Sequence, residues 1–126
     1  MSKYKSKKIT VNGVGYDSIK EYKRHCDLLL LERAGEITDL ERQVKFVLIP
    51  AQYETYERYG KDGRRLKDGK RLLERECAYI ADFTYKLDGY THVEDVKGYK
   101  GGGAYAVFSI KRKLMLQVHG IPVEEV

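Results

Sequence analysis

The sequence predicts one α/β domain with elements in the order α-β-β-β-α-β. Three observations support this. The 126 residues suffice for one hydrophobic core but would leave two cores short of apolar material. Apolar residues recur at helical spacing near both ends of the chain, after Ser18 and again after Ala106. Between these segments lie short runs rich in β-branched and aromatic residues, punctuated by Pro50 and by Asp-Gly pairs.

The first helix is expected over roughly residues 18–34. Ser18 reads as its N-cap, with Glu21 three residues later as the partner of a capping box. Ile19, Tyr22, Cys26, Leu29 and Leu30 describe its apolar face, and Gly35 stands where a left-handed residue ends a helix. Gln43 to Ile49 is the first strand, stopped by Pro50. Residues 51–73 read as an extended arm or hairpin with a basic tip, carrying Tyr53, Tyr56 and Tyr59 and two Asp-Gly turn signals. Ala78 to Tyr85 and Thr91 to Lys97 should pair antiparallel across the turn at Leu87-Asp88-Gly89. A mobile loop at Gly98 and Gly101 to Gly103 precedes a second helix marked by Val107, Ile110, Leu114 and Val118 and closed by Gly120. The tail from Ile121 can add an edge strand. The whole chain, 1–126, is expected to be a single domain.

Composition narrows the function classes. With 42% apolar and 34% charged residues and only two Pro, the chain is neither collagen-like nor wholly disordered. No apolar run reaches the roughly 18 residues a membrane helix needs, and the start lacks the apolar core of a signal peptide, so a soluble, cytoplasmic protein is expected. Cys26 and Cys77 form no CxxC pattern and read as reduced, structural thiols. The net charge of +5 is concentrated. Lys3, Lys5, Lys7 and Lys8 crowd the start, and Lys61, Arg64, Arg65, Lys67, Lys70 and Arg71 crowd the arm, which favours a polyanionic partner. The arm's tyrosines add faces for base stacking or for a partner subunit, although a solvated hairpin explains the charge equally. The glycine run lacks the pattern of a nucleotide-binding P-loop.

The chemistry gathers on the second and third strands. Alternation puts Asp95 and Lys97 on one face, with Glu94 on the other and expected to point outward. Ile80-Ala81-Asp82-Phe83 sets a carboxylate among apolar neighbours, and the hairpin can bring Asp82 beside Asp95. Burying two acids and a lysine together is costly unless compensated, and a hard divalent cation such as Mg²⁺ would do so. Taken singly, Glu21 can be only a helix cap and Asp95–Lys97 only a surface ion pair. His25, His92 and His119 have no metal-ligand spacing. Two of them are expected to be ordinary surface residues, and His25, one turn after Glu21, can face the same site.

Asp82 followed thirteen residues later by Asp95-Val96-Lys97 resembles the PD-(D/E)XK nuclease motif, with Ala81 where the motif's name has Pro. More closely, Ser18-x-x-Glu21, the stretch from Gly35-Glu36-Ile37 to Gln43, Tyr79-x-Ala81-Asp82-Phe83, Val93 to Gly98 and the helix with Lys111 and Lys113 resemble a phage-associated family placed in that superfamily. The likeness spans roughly residues 16–120. It implies a restriction-endonuclease-like core, a central mixed sheet flanked by helices, similar to small Holliday-junction resolvases. It also implies that Asp82 and Asp95 hold Mg²⁺, with Mn²⁺ as a substitute, that Glu21 completes the acidic site, and that Lys97 positions or polarises the attacking water. Arg64, Arg65, Lys67 and Lys70 of the arm, with Lys111 and Lys113, are then the DNA contacts. Lys111, which follows Ile110 and lies one turn before Leu114, is better placed than Lys113. The implied activity is metal-dependent hydrolysis of branched or duplex DNA in phage recombination, replication or packaging, in the cytoplasm of a bacterial host. A homodimer follows if two strands are cut symmetrically. Two rivals remain: a non-catalytic DNA-binding or scaffold protein that retains the fold, and a ribonuclease or nucleic-acid chaperone.

Overall fold

A computed structural model of the chain describes residues 7–126; Lys3 and Lys5 of the basic start lie outside them. The chain opens with a hairpin that the sequence reading passed over as a polar arm, β1 (Ile9–Val11) and β2 (Val14–Tyr16). Its turn is Asn12-Gly13, both at positive φ (52° and 80°), the two-residue turn whose twist suits adjoining antiparallel strands. Asn-Gly between valines was the available signal.

Helix α1 (Ile19–Arg33) starts as expected, with Ser18 Oγ accepting the Glu21 N–H at 3.1 Å. Its buried face differs from expectation. Leu28 and Glu21 are buried, with Arg24, His25 and Glu32 half-buried beside them, whereas Ile19, Leu29 and Leu30 are exposed. Polar partners supplied by the rest of the chain decide this orientation. Glu94 receives Arg24, Tyr16 meets His25, and Glu32 accepts the Leu40 N–H at 3.0 Å.

Strand β3 (Thr38–Ile49) begins five residues before the expected Gln43. It hides its own start, because Asp39 and Gln43 sit at positive φ and a bulge shifts register between Thr38 and Glu41. β4 (Gln52–Tyr59) and β5 (Arg65–Glu74) form the expected arm, a separate two-stranded sheet. Tyr56 lies across from Gly69, so close that a Cβ there would fall 2.3 Å from the ring, and the glycine is what admits the tyrosine. The arm is less cationic than its sequence suggests. Arg65 pairs with Asp68 at 2.7 Å and Arg71 with Glu54 at 2.7 Å, while Lys70 stands over the Tyr53 ring.

β6 (Cys77–Leu87) and β7 (Tyr90–Asp95) pair antiparallel, with Phe83 opposite Glu94. β7 stops at Asp95, so Lys97 stands just beyond the strand rather than within it. Helix α2 (Gly102–Leu114) takes Gly102 and Gly103 into its first turn instead of a loop, and passes into a π-turn (Met115–His119) closed by Gly120. Phe108 and Met115 are buried, while Val107, Ile110 and Val118 of the expected face are exposed. β8 (Val123–Glu125) adds parallel to β7, giving a mixed four-stranded sheet in the order β3-β6-β7-β8.

The molecule is thus a mixed α/β fold in which two helices serve one mixed sheet. One apolar cluster joins Leu28 of α1 to Ile37, Phe83 and Tyr85; the other joins Phe108 and Met115 to Leu48, Tyr79, Ala81, Val93 and Val123. Val93 belongs to the α2 cluster while its neighbour Glu94 meets Arg24 of α1, so the helices cover opposite faces of β7. That double cover buries Glu94, which was expected to face outward. No helix among the described residues is long and apolar enough to cross a membrane.

Candidate active site

Asp82 lies on the central strand β6, where the register brings it to the end of β7 beside Asp95. Its Oδ2 accepts the Val96 N–H at 2.8 Å and its Oδ1 the Gln43 side-chain amide at 3.3 Å. The same amide reaches Glu21 Oε1 at 3.2 Å, so Gln43 bridges two carboxylates. It does so from a left-handed backbone conformation, at φ 52°, that an L-residue adopts only at some energetic cost. The sequence signal for Gln43 was no more than its place in the resemblance.

Glu21 points its two oxygens in different directions, and the helix contact it makes is to the Asp17 N–H rather than to the N-cap Ser18 N–H of a capping box. Oε2 accepts the Asp17 N–H at 2.9 Å and fixes the start of α1, while Oε1 faces Gln43 and lies 3.6 Å from Arg42 Nη2. Asp17, not singled out in the sequence, completes a group in which carboxylate oxygens of Asp17, Glu21 and Asp82 lie within 4.8 Å of one another. Among the described residues, these three form a group that could hold a cation. The group has an electrostatic signature. Burial first, then repulsion from Asp95 and Glu21, push the Asp82 carboxyl up to about 6, against the lowering effect of the Val96 N–H.

Asp95 is buried beside this group rather than within it. Its Oδ1 pairs with Lys97 Nζ at 2.7 Å and its Oδ2 accepts the Tyr79 hydroxyl at 2.6 Å. Burial and the adjoining carboxylate hold the Tyr79 phenol far above its usual range, so it stays a donor. Lys97 also stands over the Phe108 ring, 3.5 Å from its centre. Asp95 and Lys97 thus share a face, as the sequence predicts, although Lys97 has left the strand.

Two clefts flank the acids. One, of about 390 Å³, is lined by Lys8, Thr10, Asp17, Glu21, Arg42 and Gln43 among others. The second, of about 350 Å³, is lined by Asp95 and Lys97 together with Ile80, Val107 and Lys111. Lys111 therefore shares a cleft with the acid–lysine pair, and Lys113 lines neither. In the arm, the side chains of Arg64 and Lys67 have no partner among the described residues, whereas Arg65 and Lys70 are engaged internally. His25 is a packing residue. It meets the Tyr16 hydroxyl at 2.6 Å and stacks on Phe83, and burial followed by the Arg42 charge holds its pKa down. Cys26 and Cys77 are both free and half-buried.

A family model described as "Protein of unknown function (DUF1064)" matches residues 1–120. No curated protein and no solved structure matches the chain.

Proposed function

We propose that this chain, which belongs to the family of proteins of unknown function DUF1064, is a metal-dependent endodeoxyribonuclease with a restriction-endonuclease-like core, acting on branched or junction DNA. The observation that carries the reading is the meeting of Glu21, Asp82 and Asp17 in one tight group, with the Asp95–Lys97 pair directly beside it. The donors are all oxygen, as Mg²⁺ or Mn²⁺ prefers, and an acid raised to about 6, first by burial and then by like-charged neighbours, is one that a cation would relieve. Asp17, Glu21 and Asp82 would hold the ion, with Asp95 the nearest further carboxylate. A bound divalent ion would supply Lewis-acid stabilisation of charge on the phosphate and acidify a water.

The chain's own groups divide the remaining work. Lys97 places a positive charge beside the acids, where it orients a water and offsets charge building on a phosphate oxygen. Tyr79 and the Phe108 ring fix that lysine, the first through Asp95 and the second by contact. Lys111, in the same cleft, is placed to hold a backbone phosphate.

The test is cleavage of labelled four-way junction, forked, duplex and single-stranded DNA with Mg²⁺, Mn²⁺ or EDTA. We expect metal-dependent cutting, strongest on the junction, that falls at least a hundredfold in Asp82→Ala and in Lys97→Ala. Binding without cutting on every substrate would favour the rival reading, a non-catalytic DNA-binding or scaffold protein. The internal satisfaction of both Asp95 oxygens by Lys97 and Tyr79 favours that rival.

The arm makes a separate prediction. Replacing Arg64 and Lys67 with Ala should reduce the magnitude of the salt slope of DNA binding by about 1.5, since each phosphate contact contributes about 0.7 to 0.9. Arg65→Ala should change it less, because Asp68 already holds that guanidinium. Titrations across a range of salt concentrations measure this, and an unchanged slope in the double variant would take the arm out of the interface.

A further inference from the structure

The cleft beside the acid group is lined by the carboxylates of Asp17 and Glu21 together with Lys8 and Thr10 of the amino-terminal segment and Arg42 and Gln43 of β3. We propose that Arg42 grips the DNA backbone phosphate next to the one cut, with the β1–β2 hairpin serving as the rail that presents it. This rests on the nuclease reading above and adds a substrate contact to it.

Arg42 is held in place by its flanks while most of its donors go unused. Its guanidinium lies over the Tyr16 ring, 4.3 Å from the centre, and Nη2 donates to the Gly15 carbonyl at 3.0 Å. Both anchors belong to β2. The approach to Glu21 Oε1, at 3.6 Å, is too long for a hydrogen bond. The Nε–H is buried with no acceptor, and Nη1 has no partner among the described residues. Of five N–H donors, then, the fold satisfies one. A guanidinium recruited only to tie the hairpin down would be expected to use its fork. One stacked and oriented at a cleft with its Nη donors largely unused is arranged for an acceptor from outside, and phosphate oxygens would meet it through the Nη edge, because Nε is closed off from solvent.

Its position selects which phosphate. Gln43's amide bridges Asp82 and Glu21, and Arg42 approaches Glu21 rather than Asp82, so a phosphate meeting Arg42 is displaced from the one at Asp82 and Lys97. On the other side of the acids Lys111 lines the second cleft. A strand running from Lys111 past Lys97 and Asp82 to Arg42 therefore meets cationic groups both before and after the reacting linkage. That arrangement suits an internal linkage, whose neighbouring phosphates are present on both sides.

The experiment is binding of a four-way junction in Ca²⁺, followed by fluorescence anisotropy from low to high salt, for wild type, Arg42→Met and Arg42→Lys. Met keeps an apolar stem against Tyr16 and removes the charge. We expect Arg42→Met to weaken binding about tenfold and to reduce the magnitude of the salt slope by about 0.7 to 0.9, the contribution of one phosphate contact. Arg42→Lys should restore the slope while recovering only part of the affinity, since a lysine replaces the fork with a point charge. A purely structural role would lower affinity without moving the slope, and that result overturns the inference. If wild type cuts DNA with Mg²⁺ and Arg42→Met binds with the wild-type slope, the inference falls and the nuclease reading stands. If wild type binds without cutting and the slope drops in Arg42→Met, the nuclease reading falls and the phosphate contact stands. No DNA binding by wild type overturns both.

Discussion

Asp82→Asn should melt at a higher temperature than wild type in EDTA at pH 7.5 while losing cleavage by several hundredfold or more. The stabilisation follows from the acid's own titration. Its carboxyl is raised to about 6 in the folded protein, chiefly by burial and then by Asp95 and Glu21. A group whose folded pKa lies above its unfolded one contributes stability that is complete below the unfolded value, near 4, and is lost as pH climbs through about 6. At pH 7.5 the metal-free wild type has lost all of it, on the order of 3 kcal/mol. Asn carries no charge, and its amide oxygen can still accept the Val96 N–H. A gain of 1 to 3 kcal/mol is expected, or roughly 3 to 10 °C for a chain of this size. At pH 4 the gain should vanish, because wild-type Asp82 is then largely protonated. Melting curves at both pH values, with and without Mg²⁺, decide the matter. An equal difference at pH 4 and pH 7.5 would show that charge is not its cause, and a Mg²⁺ response retained in Asp82→Asn would remove Asp82 from the proposed metal site.

Arg24→Ala should be the most damaging substitution outside the acid group, costing about 3 kcal/mol at pH 7.5. Glu94 is 1% exposed, and Arg24 donates to both its oxygens, Nε to Oε1 at 2.7 Å and Nη2 to Oε2 at 2.6 Å. Without the arginine, only the Tyr85 hydroxyl, at 2.6 Å, remains to a buried carboxylate. Arg24 is itself 30% exposed, so water entering the vacated space keeps the cost toward the lower end of what breaking a buried pair entails. Adding Glu94→Leu to Arg24→Met should recover most of the loss, since a buried pair can often be exchanged for apolar side chains at little cost. Chemical denaturation measures both, and a loss below about 1 kcal/mol in Arg24→Ala would mean that Glu94 is not held by this pair.

The β6–β7 hairpin, the arm and the start of α1 were legible in the sequence because their signals are local, whereas the β1–β2 hairpin was passed over despite its Asn12-Gly13 turn. Asp88-Gly89 turns β6 into β7, Pro50 ends β3, and Ser18 starts α1. The orientation of the helices was not legible. In α1 the apolar residues Ile19, Leu29 and Leu30 form the more continuous stripe, yet the helix turns Glu21, Arg24, His25 and Leu28 inward. Hydrophobic periodicity counts apolar residues and is blind to partners such as Glu94 and Tyr16, which lie far away in sequence or on another element. In α2 a single buried Phe108 and a buried Met115 in the π-turn outweigh the regular spacing of Val107 and Ile110. The acid group was half visible. Glu21, Asp82 and the Asp95–Lys97 pair follow a spacing pattern, whereas Asp17 and Arg42 depend on a hairpin that folds back onto α1, and no short-range pattern marks them.

The division of Glu21 between helix and cleft has a dynamic consequence. The Asp17 N–H to Oε2 bond and the Ser18 Oγ contact are what start α1, and Oε1 of the same residue belongs to the acid group. Fraying of that first turn therefore dismantles the cleft while the sheet beneath it stays intact. Helix ends open more readily than strand interiors. Backbone amide exchange in the turn from Asp17 to Glu21 would then report the assembled fraction of the site directly. If the chain is the nuclease proposed, heat inactivation should likewise set in below the temperature at which β6 and β7 separate, because a helix end carries one of the acids.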